Sequence, residues 1–271
     1  WLLAADGHAQ GQAGARGSVR ERQRPVEDLE LTAPGLDTLR GKRVFLTGHT
    51  GFKGSWAVLL LKQLGCSVIG YALPPASEPN LFDLADVEAA LNAHTIGDIR
   101  DRNALTAALT AASPDLVLHM AAQAIVRRSY VAPVETWETN VIGTVNLLEA
   151  VRSSPYVRDV VVVTNDKCYE NSGWEWGYRE TARLGGPAPS RTRPAATELV
   201  VQSYRRSFFA QGGPLVATAR AGNVIGGGDW SEDRILADAA RAAASGTPLV
   251  VRNPQATRPW QHQCRAWSAP S

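Results

Sequence analysis

From Gly41 onward, short apolar runs alternate with longer stretches whose apolar residues recur every three or four positions. Val44-Phe45-Leu46, Ser67-Val68-Ile69-Gly70-Tyr71, Leu116-Val117-Leu118-His119, Val160 to Thr164 and Leu215 to Arg220 read as strands. Gly54 to Leu64, Arg102 to Ala112, Val134 to Val151 and Asp233 to Ala244 read as helices, and Leu249 to Arg252 as a further strand. The Val160 to Thr164 run does not alternate, as expected of a strand covered on both faces of a parallel sheet. The strand and helix order predicts an α/β fold, a doubly wound parallel sheet.

Residues 1 to about 36 show neither period, are rich in Gly, Ala, Gln and Arg, and read as a disordered extension unlike the domain that follows. The expected organisation is therefore an extension over 1–36, a nucleotide-binding domain over 37–219, and a partial substrate-binding region over 220–271.

The chain is organised around Thr47-Gly48-His49-Thr50-Gly51-Phe52-Lys53-Gly54, set between the first strand and the first helix. Gly48 provides backbone angles closed to other residues, Gly51 lets the main chain approach a pyrophosphate, and Gly54 lets the helix pack closely on the strand. The N–H groups and positive dipole end of that helix, from Phe52 and Lys53 onward, face the anion. The Gly-x-x-Gly-x-x-Gly spacing is one residue longer in its first gap than the common dinucleotide fingerprint. The segment Val68 to Leu73 holds neither an acid for a ribose hydroxyl nor an Arg for a 2′-phosphate, which favours NAD over NADP.

Composition narrows the partners. With 44% hydrophobic residues the chain can bury a large core, and a net charge of +2 with scattered Arg residues provides no stripe for nucleic acid. No apolar stretch is long enough to span a membrane, and the first residues lack the pattern of a signal peptide. Three cysteines without a Cys-x-x-Cys pair argue against a disulfide framework and a zinc site, so no metal and a cytoplasmic location are expected.

Other candidates lie at predicted strand ends. Asp98-Ile99 either touches an adenine edge or, in the plainer reading, Asp98 caps the helix from Arg102. Ala121-Ala122-Gln123 follow a strand with side chains small enough for a cofactor to lie on the backbone. Asn140 either fixes backbone and water near the site or faces solvent from mid-helix. Asn165-Asp166-Lys167 end the apolar Val160 to Thr164 strand, at the edge where open α/β sheets place ligands, and Asp166 with Lys167 suits acid/base work. Asn223 and the cations Arg220, Arg234, Arg252 and Arg258 are available to a second diphosphate, with Asn223, Arg234 and Arg258 the selected candidates.

Together these motifs resemble the extended short-chain dehydrogenase/reductase superfamily and, within it, the CDP-glucose 4,6-dehydratases. The resemblance is carried by Thr47 to Trp56, Gly70 to Pro75, Ala121 to Gln123 with Val126 to Tyr130, Thr164 to Asn171, Ala219 to Trp230 and Arg258 to His262. It implies a Rossmann-like sheet, bound NAD and a nucleotide-sugar substrate, in a protein compatible with homo-oligomer assembly. It further implies a lyase with internal redox, in which Asp166 is the general acid for water loss, Lys167 stands where related dehydratases place a Glu, and Asn165 replaces the usual Ser or Thr.

The family also uses a Tyr with a Lys four residues later, and no Tyr-x-x-x-Lys exists in this chain. Alignment on Gly185-Gly186 and Glu198-Leu199 puts Ser190 and Pro194 at those positions. The window Pro187 to Pro194 does not read as a helix start and suggests a local reading-frame disturbance, as does Gln263 to Ser271, where the resemblance stops and the substrate part reads as truncated. An impaired dehydratase is thus expected. The alternative is a catalytically inactive NAD-binding relic or fragment, and a nucleotide-sugar epimerase is disfavoured by the Asp166-Lys167 pair.

Overall fold

The computed structural model describes residues 35–171, 173, 176–186 and 189–263, with the backbone alone at 189–191. The expected extension lies almost wholly outside the described residues, as do residues 264–271. Six parallel strands, β1 (Arg43–Thr47), β2 (Ser67–Ala72), β3 (Ala93–Ile96), β4 (Leu116–His119), β5 (Asp159–Asn165) and β6 (Leu215–Ala221), form one sheet in the order β3-β2-β1-β4-β5-β6. The order reverses between β1 and β4, so the loops after these strands part to opposite faces and leave a crevice at their carboxyl ends.

Period-two alternation along the central strands sends side chains to two cores. Val44, Leu46, Val68 and Leu118 pack under α1 (Phe52–Gln63). Phe45, Tyr71, Val117, Val160 and Val162 pack with Leu105 and Leu109 of α3 (Arg102–Ala112) and Leu147 and Leu148 of α6 (Gly143–Arg152). Two buried faces explain why β5 reads as an unbroken apolar run. The connections are set locally: Asn80 caps α2 (Leu81–Leu84) by accepting from Asp83 N at 2.9 Å, and Gly65 follows α1 at φ 79°.

The expected helix from Val134 to Val151 is interrupted. After α4 (Val126–Val131) and α5 (Pro133–Trp137), residues Glu138–Ile142 form a π-helical turn before α6 begins. The window around Ser190 and Pro194 is also corrected, because α7 spans Pro189–Ser207 with Pro194 inside it. Burial of Ala195, Thr197, Glu198 and Val201 stabilises the helix against the local preference of its Pro-rich start.

Beyond β6 the chain forms β7 (Asn223–Ile225), α8 (Ile235–Ser245) and β8 (Trp260–His262). β7 pairs in parallel with β8, not with residues 249–252, so the strand expected at Leu249 to Arg252 is absent. An isolated apolar run bounded by polar residues does not define a strand without a partner ladder, and the ladder here goes to Trp260-Gln261-His262.

Candidate active site at the carboxyl edge of the sheet

The glycine turn is shaped by two close approaches. Gly48 sits at φ 80°, and a Cβ there would lie 2.7 Å from Ala121 N. A Cβ on Gly54 would enter the Gly48 carbonyl oxygen. Gly51 differs: its φ is −78°, and a Cβ would meet only the Gly48 oxygen at 3.5 Å. Gly48 and Gly54 are thus required by the protein itself, whereas Gly51 is left open on the side of the crevice. The first-turn N–H groups of Phe52, Lys53 and Gly54 have no intrahelical acceptor and can meet an anion there. This cradle, with Ala121 and Ala122 opposite it, fits a dinucleotide.

Two buried histidines brace the turn. Thr47 Oγ1 meets His119 Nδ1 at 2.7 Å, and His119 Nε2 meets Thr144 Oγ1 at 3.2 Å, tying β1, β4 and α6 together. His49 Nε2 meets His94 Nδ1 at 3.3 Å, its ring edge-on to Phe82. Burial lowers the pKa of His119 to about 4, and burial followed by the neighbouring His94 does the same for His49. Both rings are neutral in the folded protein while the unfolded chain titrates near its ordinary value, so stability is full above about pH 6.5 and falls as the pH drops towards 4. At pH 5 the expected loss is on the order of 2 kcal/mol per histidine relative to pH 7.5. Urea midpoints that coincide at these two pH values would contradict it.

Asn140 faces inward from the π-helical turn. Its Oδ1 accepts from Gln123 N at 2.7 Å and its Nδ2 donates to Gln123 O at 3.1 Å, which fixes the loop after β4. Its carbonyl, displaced from ordinary helical pairing, accepts from Thr144 Oγ1 at 2.7 Å and Thr197 Oγ1 at 3.1 Å. The solvent-facing reading of Asn140 is corrected. So is the cap reading of Asp98: Asp101 caps α3, accepting from Asn103 N and Ala104 N, while Asp98 binds Arg100, whose hydrogen bonds hold its carboxyl below the ordinary range. The Ile99 side chain is buried in the core, which removes it from contact with a ligand.

Asp166 and Lys167 stand in a short 3-10 turn, Asp166–Cys168, directly after β5. Asn165 Oδ1 accepts from Lys167 N at 2.9 Å and caps this turn, leaving its amide N–H groups as donors. Asp166 Oδ1 is buried without a hydrogen-bond partner, 3.9 Å from Lys167 Nζ. A buried acceptor of this kind is expensive unless a ligand satisfies it.

Behind the turn lies a network that sequence reasoning did not find. Glu198 of α7 pairs with Arg220 of β6 through two bonds of 2.9 Å and accepts from Thr164 and Thr218. Burial alone would raise the Glu198 carboxyl, but Arg220 and the two hydroxyls bring it below its usual range. Arg220 also reaches the Tyr169 hydroxyl and Glu180, each at 2.6 Å. It is therefore a structural cation and not one available to a diphosphate. No spacing within one element reveals such a pair, since its members come from α7 and β6.

Asn223, Arg234 and Arg258 are brought together, lining one cavity of about 460 Å³ with Asp229, Arg252 and Trp260. Arg252 is engaged, binding Asp233 at 2.9 Å, which also accepts from Arg127 at 3.2 Å. For Lys53, burial and then the charges of Arg234 and Lys167 lower its pKa to about 8, against the opposing pull of Asp166 and Asp229, so charges from both the Asp166 turn and the cavity lining act on it. Trp56 Nε1 donates to Gly227 O at 3.0 Å, holding the β7 loop on α1.

Pro194 lines a smaller cavity of about 50 Å³ with Asn140, Thr144, Ala121, Ala122 and Thr164. Among the described residues no cluster of three or more His, Cys, Asp or Glu could hold a metal, and no helix is long and apolar enough to cross a membrane.

A parallel sheet with its glycine turn, reversal point and polar fifth-strand end defines the class, and the profile of the NAD dependent epimerase/dehydratase family matches residues 44–263, so the chain belongs to that family. Among its relatives, the CDP-glucose 4,6-dehydratase of Salmonella typhimurium is 47% identical over 228 residues, which are 82% of this chain and 63% of the relative. A dTDP-glucose 4,6-dehydratase of Xanthomonas campestris is 34% identical over 76% of this chain and 60% of its own length. The chain spans less than two thirds of both relatives. The solved structure of a DesIV double mutant, a dTDP-glucose 4,6-dehydratase from Streptomyces venezuelae with NAD and DAU bound, superposes with a TM-score of 0.70 at 27% identity over 82% of this chain and 70% of that one.

Proposed function

We propose that the chain has the architecture of a CDP-glucose 4,6-dehydratase, binding NAD at the glycine turn and the nucleotide sugar in the cavity beside it. The observation that carries this reading is the Asp166-Lys167 turn directly after β5, at the carboxyl edge of the sheet, with Asp166 Oδ1 buried and without a hydrogen-bond partner. Gly48 to Gly54, Ala121 to Gln123 and Asn140 would hold the dinucleotide, while Asn223, Arg234 and Arg258 would bind the nucleoside diphosphate of the substrate. Bound NAD supplies a hydride acceptor for C4 of the glucose ring and a donor for C6.

The chain's own residues supply proton chemistry. Once C4 is a ketone, the proton on C5 is acidic, and Lys167 takes it while Asp166 protonates the departing C6 hydroxyl, so one water leaves. Lys167 serves as base only in its neutral form, so loss of its proton must precede this step. Asn165 donates a hydrogen bond to a sugar oxygen without relaying a proton. The first step, removal of the C4 hydroxyl proton, falls in this family to a Tyr-x-x-x-Lys pair that the chain lacks, and its turnover is expected to be low. A non-catalytic NAD-binding relic is the second reading, favoured by Pro194 in the cavity beside Asn140.

Mass spectrometry after incubation with CDP-glucose tests the proposal. A product lighter by one water, even as a small fraction, supports the dehydratase; an unchanged mass with an altered sugar identifies an epimerase; and an unaltered sugar with both the unaltered chain and the Ser190→Tyr, Pro194→Lys double variant identifies a relic. Asp166→Asn is expected to lower any dehydration by about 100-fold, the lower range for loss of a positioned acid.

A further inference from the structure

The Glu198–Arg220 pair has no part in the proton chemistry above, yet it touches both ends of the loop that carries it. Thr164, the residue before Asn165, donates to Glu198, and Arg220 donates to the hydroxyl of Tyr169, just past the 3-10 turn. The guanidinium also lies 5.1 Å from the centre of the Tyr169 ring, which stacks on Tyr178. Gly185 N donates to Cys168 O and Glu170 N to Arg183 O, each at 2.8 Å, so the 165–170 loop is held by a strand end, an aromatic anchor and two backbone bonds to the 183–185 segment. We infer that Glu198 and Arg220 are positioning residues which, through Thr164 and Tyr169, hold the 165–170 loop in the geometry that presents Asp166 and Lys167 at the sheet edge. The assignment rests on the reading of those two residues as the acid/base pair.

An ion pair is suited to this task in a way that apolar packing is not. Packing attracts without direction, whereas a planar guanidinium bound to both oxygens of a buried carboxylate defines distance and orientation together. Such a pair is tolerated only when its hydrogen bonds are met. Here Glu198 accepts from Arg220 and two hydroxyls, and Arg220 reaches Glu198, Tyr169 and Glu180. A merely stabilising pair would loosen the whole molecule when broken; a positioning pair loosens the loop first.

Two cysteines separate these outcomes. Cys168 lies inside the loop at 0% exposure, and Cys66 lies in the other core, under α1, at 5%. Each must be uncovered before iodoacetamide can reach it, so the ratio of their alkylation rates, read by peptide mass spectrometry, reports local opening against global opening. Tyr169→Phe removes only the hydroxyl that Arg220 reaches and keeps the ring stack. It is expected to raise Cys168 alkylation about tenfold, the size of a lost charge-assisted hydrogen bond, with Cys66 unchanged. Arg220→Met is expected to raise it further and Arg220→Lys less than Arg220→Met, because an ammonium still pairs with Glu198 but cannot form the fork and reach Tyr169 together. Loss of the Arg220 charge by itself makes the Cys168 thiol harder to ionise, so a faster reaction reads opening and not thiol chemistry.

Cys168 alkylation at the unaltered rate in Tyr169→Phe, or Cys66 and Cys168 rising in parallel in the Arg220 variants, would overturn the inference. If Arg220→Met does not fold, Tyr169→Phe and Arg220→Lys still decide it. Alkylation requires no turnover, so a chain that leaves CDP-glucose unchanged tests the clamp equally well. Dehydration retained in Asp166→Asn would overturn the acid assignment and leave the alkylation result standing.

Discussion

CDP-glucose incubated with the unaltered chain is expected to come back almost entirely at unchanged mass, and the double substitution Ser190→Tyr with Pro194→Lys to increase the product lighter by one water by about 100-fold or more. Residues 190 and 194 lie four apart in α7, hence one above the other on one helix face. Pro194 borders a cavity shared with Ala121, Ala122 and Asn140, so a side chain placed at 194 enters the crevice where the cofactor and sugar would meet. A serine hydroxyl has a far higher pKa than a phenol and a shorter reach, and proline offers no cation to stabilise a phenolate. Because the lysine acts through the tyrosine, either single change should recover much less than the pair. Pro194→Lys has a second readout free of chemistry. A proline beyond the first helical turn costs about 3 kcal/mol, part of which the substitution should return as a higher urea midpoint. Dehydration by the unaltered chain at a rate the double change does not improve would show that another residue supplies the base.

NAD binding is expected to fall by about 100-fold or more in Gly51→Val, with the fold intact, because a Cβ there meets no protein atom closer than 3.5 Å and a branched side chain at the N-cap of α1 would obstruct an anion's approach to the helix N-terminus. Gly54→Ala makes the contrast. Its methyl group would collide with the Gly48 carbonyl oxygen, so α1 must move off β1, and both stability and binding should suffer. Calorimetry and a melting curve on the same samples distinguish the two. Unchanged NAD affinity in a folded Gly51→Val protein would remove the cofactor from this turn.

Several features were legible before any coordinates. Five of the six apolar runs named as strands became β1, β2, β4, β5 and β6, since a strand buried on both faces has little freedom to be anything else. The glycine turn was legible because its spacing answers to backbone geometry over eight residues. Other readings failed for want of long-range information. Leu249 to Arg252 has the composition of a strand but no ladder partner, and β3, short and interrupted by His94 and Thr95, has a partner in β2 that its own pattern does not announce. The plainer reading of Asp98 made it the cap of α3, but Arg100 engages that carboxylate and Asp101 caps the helix.

By itself the sequence determined the parallel α/β class, the placement of the phosphate cradle, the polar end of β5 and the absence of a Tyr-x-x-x-Lys pair, because each depends on residue type at short, fixed separations. Only the tertiary structure decided that Asn140 turns inward to fix Gln123, that Asn223, Arg234 and Arg258 share a cavity, and that Arg220 is spent on Glu198 and Tyr169. These are contacts between side chains dozens of residues apart, and their partners are set by which strand lies beside which and which helix covers them. Burial then fixes the chemistry: the same arginine that would be a solvated charge on a surface becomes, between β5, β6 and α7, half of an ion pair whose carboxylate has few other partners.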